Sequence, residues 1–234
     1  NTVAGGFKVT VNPGSSLITI IPGSADYDSV ANFQAMLRTI TYNNLTDHPT
    51  SGDRLFTVAV EDAGFDNVSI TGTAGNEISA GALSTITVTP VNDQPEITGL
   101  ANASFYENAI NASPASLDST LSLKDDDSAN FDGGSLVVSG LNASDVVGLP
   151  SSSPALVGSV RRSGNDAEYY DGSAWIVVGT VSGGTGTSLT ISFNASTTPA
   201  IAERVAESLE FSNSSDNPVA TRTLTYAMRD GSAG

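Results

Sequence analysis

The chain has 234 residues, enough for one large domain or two ordinary ones, each able to bury a core. Nine basic residues stand against 25 acidic ones, a formal net charge of −16. That balance argues against nucleic acid or an anionic membrane surface as partner, since both need basic patches, and it suits a surface that attracts divalent cations. Cysteine is absent, which leaves core size or bound metal, not disulfides, as the source of stability. No stretch approaches the ~20 apolar residues of a helical membrane span. Asn1–Gly6 has neither the basic region nor the apolar run of a secretory signal, which gives the expectation of an interior piece of a longer protein.

In chain order, Gly6–Asn12 and Ser16–Ile21 are rich in β-branched residues around Pro13-Gly14, the pattern of a strand, a turn and a strand. Asp28–Leu37 changes period. Val30, Phe33, Met36 and Leu37 recur at helical spacing, and Asp28 or Ser29 can cap the start. Arg38–Tyr42 and Arg54–Glu61 read as strands around a polar loop, Asp62–Ala80 as loop, and Ala82–Val91 as a closing strand. Then comes Thr89–Gly99, TPVNDQPEITG. Pro95 lacks an N–H and forces Gln94 out of the helical region, so a strand ends here and an Asn-Asp pair occupies the break.

Beyond it, strands are predicted at Ala103–Tyr106, Leu117–Leu123, Ser135–Leu141, Leu156–Arg161, Ala167–Tyr170, Ala174–Val181, Ser188–Phe193, Glu210–Asn213 and Arg222–Met228, with Asp171-Gly172 as a hairpin turn. Pro199–Leu209 is predicted helical, capped by Thr198 and opened by a proline at the first position, with Ile201, Val205 and Leu209 on one face.

The two halves share an ordered series of residues. SLITII, a helix, ITYNNLTDHP and RLFTVAVEDAG correspond to SLTISF, a helix, LEFSNSSDNP and RTLTYAMRDGSAG. Tyr42 meets Phe211, Asn44 meets Asn213, Asp47 meets Asp216, Arg54 meets Arg222 and Asp62 meets Asp230, at an offset of about 169 residues. The expectation is a tandem repeat: 1–94 is the back of one repeat and 95–234 most of the next. The second copy stops before its counterpart of Ala82–Asp93, which leaves a sheet edge open to a strand from a neighbouring copy.

Three stretches, TPVNDQP around Asn92-Asp93, FYENA around Glu107 and DDDSANFDGG with its Asp125-x-Asp127 spacing, resemble the linker, Glu-Asn and Asp-x-Asp elements of cadherin-like repeats of giant bacterial surface adhesins. The resemblance implies an all-β fold of tandem antiparallel β-sandwiches, cadherin- or immunoglobulin-like, with a short helix in each repeat. It also implies calcium, which takes six to eight oxygen ligands. Asp93, Glu107, Asp125 and Asp127 are the implied carboxylates, Asn92 and Asn130 the carbonyl donors, and Asp62 the acidic residue facing the linker from the preceding unit. Pro90 stands where such linkers carry a further Asp, and an Asp-Arg-Glu element is not evident, so fewer or weaker ions are expected. Taken singly, each acidic residue is also an ordinary turn former.

Tyr169, Tyr170 and Trp175 flank the hairpin turn, where they either stack on a sugar or pack within the protein. His48 is the single histidine, and its counterpart is Asn217, so no catalytic triad is assembled in the usual way. Arg54 and Arg222 are expected to pair with Asp47 and Asp216. The functional expectation is a non-enzymatic structural or adhesive segment of an extracellular or cell-surface protein. Its partners would be other repeats of the same polypeptide, neighbouring copies paired by strands, surface glycans or host surface proteins, with no nucleic acid and no membrane insertion. The alternatives are a filament or surface-layer subunit assembled by strand exchange, and a carbohydrate-binding module using Tyr170 and Trp175.

Overall fold

A computed structural model describes residues 2–3, 7–11, 16–22, 29–46, 48–60 and 80–231. The chain divides into two compact units, Asn1–Pro90 and Val91–Gly234, which assigns Asn92 and Asp93 to the second. Strand is the predominant regular structure of the described residues, in several antiparallel sheets, in agreement with the all-β expectation. Among them no helix is long and apolar enough to cross a membrane.

In the first unit, β1 (Thr2–Val3), β2 (Phe7–Val11) and β3 (Ile18–Pro22) form an antiparallel sheet in chain order. The expected Pro13-Gly14 turn lies outside the described residues. Helix α1 (Val30–Leu37) begins where Ser29 caps it, its hydroxyl accepting from the Asn32 N–H at 3.2 Å. Phe33 meets Phe7 edge to face at 5.0 Å, and Met36 is buried. β4 (Gly52–Val58) pairs with β5 (Ala82–Val88) along its whole length, from Gly52 opposite Val88 to Val58 opposite Ala82.

The strand expected at Arg38–Tyr42 does not form. The Thr39 and Ile40 N–H groups bond back to the carbonyls of Met36 and Leu37 as the helix unwinds, so they are lost to any ladder. Ile40 and Tyr42 are left exposed.

In the second unit, β6 (Glu96–Thr98) follows Pro95 and pairs with β8 (Ser122–Lys124). A three-stranded sheet runs β10 (Asp145–Gly148), β15 (Glu210–Asn213), β7 (Ala115–Ser116). A six-stranded sheet runs β11 (Val160–Ser163), β12 (Asp166–Tyr170), β13 (Trp175–Gly183), β14 (Leu189–Phe193), β9 (Ser135–Ser139), β16 (Thr225–Arg229). Alternation sets the faces: Leu136 and Val138, Leu189, Ile191 and Phe193, and Phe211 are buried while their neighbours in the strand are less so. These residues join Val147, Val160, Val178 and Phe131 in one apolar core.

Helix α3 (Pro199–Glu207) closes that core with Ala202, Val205 and Ala206, and Leu209 just beyond it is fully buried. Thr198 caps it, and the Glu203 carboxylate accepts the Leu123 N–H of β8 at 2.7 Å.

Three predicted strands of this unit are corrected. Ala103–Tyr106 is irregular and leads into a short helix, α2 (Glu107–Ala112), that the sequence reading lacked. There Phe105 stacks on Phe211 at 6.0 Å, so its apolar character serves packing instead of a ladder. Leu117–Leu123 is broken between β7 and β8, because the buried Asp118 carboxylate takes the N–H groups of Thr120 (2.7 Å) and Ala101 (2.6 Å) and turns the chain. Leu156–Ser159 is a turn, so that strand starts only at Val160.

Candidate functional site

The candidate site is built at the start of the second unit, where the irregular backbone before Pro95 meets two turns. The Asp93 N–H donates to Asp127 Oδ2 at 2.8 Å. The Asn92 side-chain amide donates to Asp230 Oδ2 at 2.6 Å and to its neighbour's carbonyl, Asp93 O, at 3.1 Å. The Ser128 hydroxyl lies 3.0 Å from Asp230 Oδ2 and 3.5 Å from Asn92 Oδ1, and its single proton serves one of them at a time. Asp230 follows β16 directly and is 4% exposed. Gly231 behind it has φ of 90°, and a Cβ there would lie 2.1 Å from the Asp132 carbonyl oxygen. Only glycine lets the chain abut the 131–134 turn so closely, which is how Asp230 is delivered to this end of the sheet.

Asp125 shapes the loop. Its Oδ1 accepts the N–H groups of Ser128 (2.9 Å) and Asp127 (3.3 Å), the Asx turn that Asp readily makes. Its Oδ2 is buried without a hydrogen-bond partner. Burial pushes the Asp125 carboxyl above its usual pKa, against the opposing pull of the Ser128 and Asp127 N–H groups. Asp126, between them, pairs with Lys124 at 2.8 Å on the exposed surface, an arrangement that contributes little.

Of the sequence-predicted ligands, Asn92, Asp93, Asp125 and Asp127 are therefore joined in one hydrogen-bonded group. Glu107 is not part of it. It begins α2, exposed, where a carboxylate suits the positive end of the helix dipole. Asn130 turns its side-chain oxygen to the Asp132 N–H at 3.1 Å, an Asx turn that positions buried Phe131. Asp62 lies outside the described residues. Among those described, no group of three or more acidic, histidine or cysteine side chains is close enough to hold a metal by itself, so an ion here would draw on amide, hydroxyl and backbone oxygens as well. Asp230 and Ser128 are the members that sequence reasoning did not assign. The signal for Asp230 was its correspondence with Asp62.

The expected pairing of Arg222 with Asp216 is replaced by a buried one. Arg222 Nε lies 2.8 and 2.9 Å from the two carboxylate oxygens of Asp145, and Nη2 2.8 Å from Oδ1. Asp145 is fully buried and also accepts from the Asn142 N–H and the Asn213 amide, both at 2.7 Å. Burial alone would raise its pKa, but Arg222 and these donors outweigh it and hold the carboxyl below the usual range. Arg54, whose expected partner Asp47 is outside the described residues, donates to the carbonyls of Gly52 and Thr50.

The hairpin aromatics stand opposite each other in the pairing of β12 and β13, Tyr170 and Trp175 with ring centroids 5.3 Å apart. The Arg161 guanidinium lies 4.0 Å from the Trp175 ring centroid and is held by Glu168 at 2.6 Å. Tyr169 packs against the core, whereas Trp175 and Tyr170 are half-buried and outside it.

The chain matches no protein-family model, and neither a curated protein nor a solved structure shows significant similarity to it. Nothing in these comparisons identifies cadherin-like repeats, so that resemblance rests on the sequence motifs.

Proposed function

We propose that the chain is a structural, adhesive segment of an extracellular or cell-surface protein, built of tandem cadherin-like β-sandwiches and stiffened by calcium where Asn92 and Asp93 meet the Asp125–Ser128 turn. The observation that carries this reading is Asp125 Oδ2, a carboxylate oxygen buried without a partner in a turn tied through Asp127 to the Asp93 backbone. A desolvated carboxylate destabilises the fold unless a positive charge comes to it. Among the described residues the groups that bond to Asp125 are the Asp127 and Ser128 N–H and no arginine, lysine or histidine, and a hard cation with flexible oxygen coordination suits a hydrogen-bonded group of Asp, Asn and Ser side chains. The Asp125 carboxylate supplies the charge, amide, hydroxyl and backbone oxygens complete the ligand set, and Asn92 links the linker backbone to the end of β16. Bound there, calcium fastens the entry of the unit to two of its loops. That is a mechanical role and needs no catalytic residue.

The test is a thermal melt of the chain in EDTA and in calcium, paired with titration calorimetry. At a calcium concentration of ~100 Kd, one site adds about 2.7 kcal/mol to the folded state. For a unit of this size that is an upward shift of roughly 5–10 °C. Asp125→Asn and Asp127→Asn should each abolish most of it. No shift and no heat of binding would reduce the acidic residues to turn formers.

A further inference from the structure

The six-stranded sheet of the second unit carries an aromatic pair that its core does not use. Val160, Tyr169 and Ile176 stand in register across β11, β12 and β13, and all three pack into the core. Side chains alternate along a strand, so Arg161, Glu168, Tyr170, Trp175 and Val177 share the opposite face of the sheet. Val177 is 41% exposed there, and Tyr170 and Trp175 are half-buried. The two rings meet at 56°, with the Arg161 guanidinium 4.0 Å from the indole centroid. Much of the polar capacity around them is unused. Arg161 reaches Glu168 through Nε and Oε2 only. Among the described residues the two terminal guanidinium nitrogens, Glu168 Oε1, the Trp175 indole N–H and the Tyr170 hydroxyl have no protein hydrogen-bond partner.

We propose that this face binds a neutral glycan through one pyranose ring of glucose configuration. Such a ring has its substituents equatorial, so it offers a flat C–H face to an aromatic ring and hydroxyls all around its rim. The protein face has the same two parts: aromatic surface in the middle, and beside it the guanidinium donors, a carboxylate acceptor, an indole N–H and a phenol. An apolar peptide fits less well, because it would cover those groups and leave them unpaired. The rings are angled and not coplanar, so they take one sugar against Trp175 with Tyr170 at its border, not a chain laid along a flat strip. Charge selects against acidic sugars. Glu168 neutralises Arg161, the Asp171 carboxylate is occupied by the Ser173 and Ala174 N–H groups, and the chain as a whole carries −16. Pairing of β12 with β13 already holds both rings in place, so binding has little order to impose. None of these residues belongs to the Asn92–Asp125–Asp230 group, and the test is run in EDTA so that this inference and the calcium reading fail separately.

Trp175 is the single tryptophan of the chain, so intrinsic fluorescence reports on this face alone. Titration of the full chain with cellobiose should give a saturable change in emission with a midpoint in the millimolar range. Cellohexaose should bind only a few-fold more tightly, since one ring is held. Mannitol has the hydroxyls without the ring face and should give no change. Tyr170→Ala and Glu168→Gln should each weaken cellobiose binding about tenfold with melting unchanged. Calorimetry of Trp175→Ala should show no heat of binding. Emission unmoved by cellobiose, an equal response to mannitol, or variants that bind as the wild type does would overturn the proposal. So would emission that shifts with protein concentration and not with sugar, which would assign the face to a second copy of the chain.

Discussion

Replacing Arg222 by Met tests whether the Asp145 network holds the second unit together. Asp145 is fully buried at the start of β10, opposite Asn213 of β15, and Arg222 lies on the segment leading to β16. One carboxylate thus ties the edge of one sheet to the strand that ends the other. Methionine keeps the aliphatic stem but removes the guanidinium, which lies 5.2 Å from the Phe211 ring centroid and whose Nε is within hydrogen-bond distance of both Asp145 oxygens. The Asn142 N–H and Asn213 amide remain, so the carboxylate is under-satisfied but not bare. Breaking a buried pair from one side costs about 3–5 kcal/mol. For a unit of this size that lowers the melting temperature by roughly 10 °C or more. The loss should also depend on pH. In the wild type the Asp145 pKa is depressed in the folded state, so its stabilisation is present above the ordinary carboxylate pKa and disappears as pH falls below about 4. In the variant that stabilisation is gone, and the two proteins should converge in acid. The companion Arg222→Met/Asp145→Asn should recover much of the loss, because no unpaired charge is left. Urea melts of all three at neutral pH decide the matter: a single-variant loss below about 1 kcal/mol, within the range of an exposed pair, would refute the reasoning.

In EDTA, Asp125→Asn should remove a pH dependence that the wild type shows. The folded-state pKa of Asp125 is raised, so its carboxyl costs nothing below the ordinary range and destabilises as pH rises through the folded value; melts across acid to neutral pH should show the wild type falling relative to the variant, and parallel curves would contradict the burial argument. Thr198→Ala should cost about 1 kcal/mol through loss of the α3 cap, visible in the same melts. Its counterpart Ser29→Ala should leave the melting of the second unit unchanged.

Both longer helices and their caps were readable because the signals are local. Ser29 and Thr198 stand directly before apolar residues at helical spacing, and Pro199 fits a first helical position. Strands with clean alternation, such as Ser135–Ser139 and Leu189–Phe193, were readable for the same reason. The misses have two physical sources. Where a side chain competes for the backbone, as Asp118 does at Thr120, β propensity does not produce a ladder. Where the determining partner is distant, no local signal exists. β10 opens on an aspartate whose charge in the core is balanced by Arg222, 77 residues away. The site divides in the same manner: the Asp125 turn is written in DDDSAN, whereas the place of Asp230 beside Asn92 depends on a contact across 138 residues.

Two segments of similar pattern, LEFSN and ITYNN, differ in outcome. In LEFSN, Glu210–Asn213 forms β15, with Phe211 and the preceding Leu209 buried, because β10 and β7 flank it on either side. ITYNN has the same alternation, yet Ile40 and Tyr42 are 54% and 39% exposed and no strand forms. Propensity is nearly equal in the two, so the difference lies in what surrounds them: in the second unit the flanking strands are Asp145–Gly148 and Ala115–Ser116, and the first unit pairs no strand with Thr41–Asn44 among the described residues. A β-strand is a property of a pair.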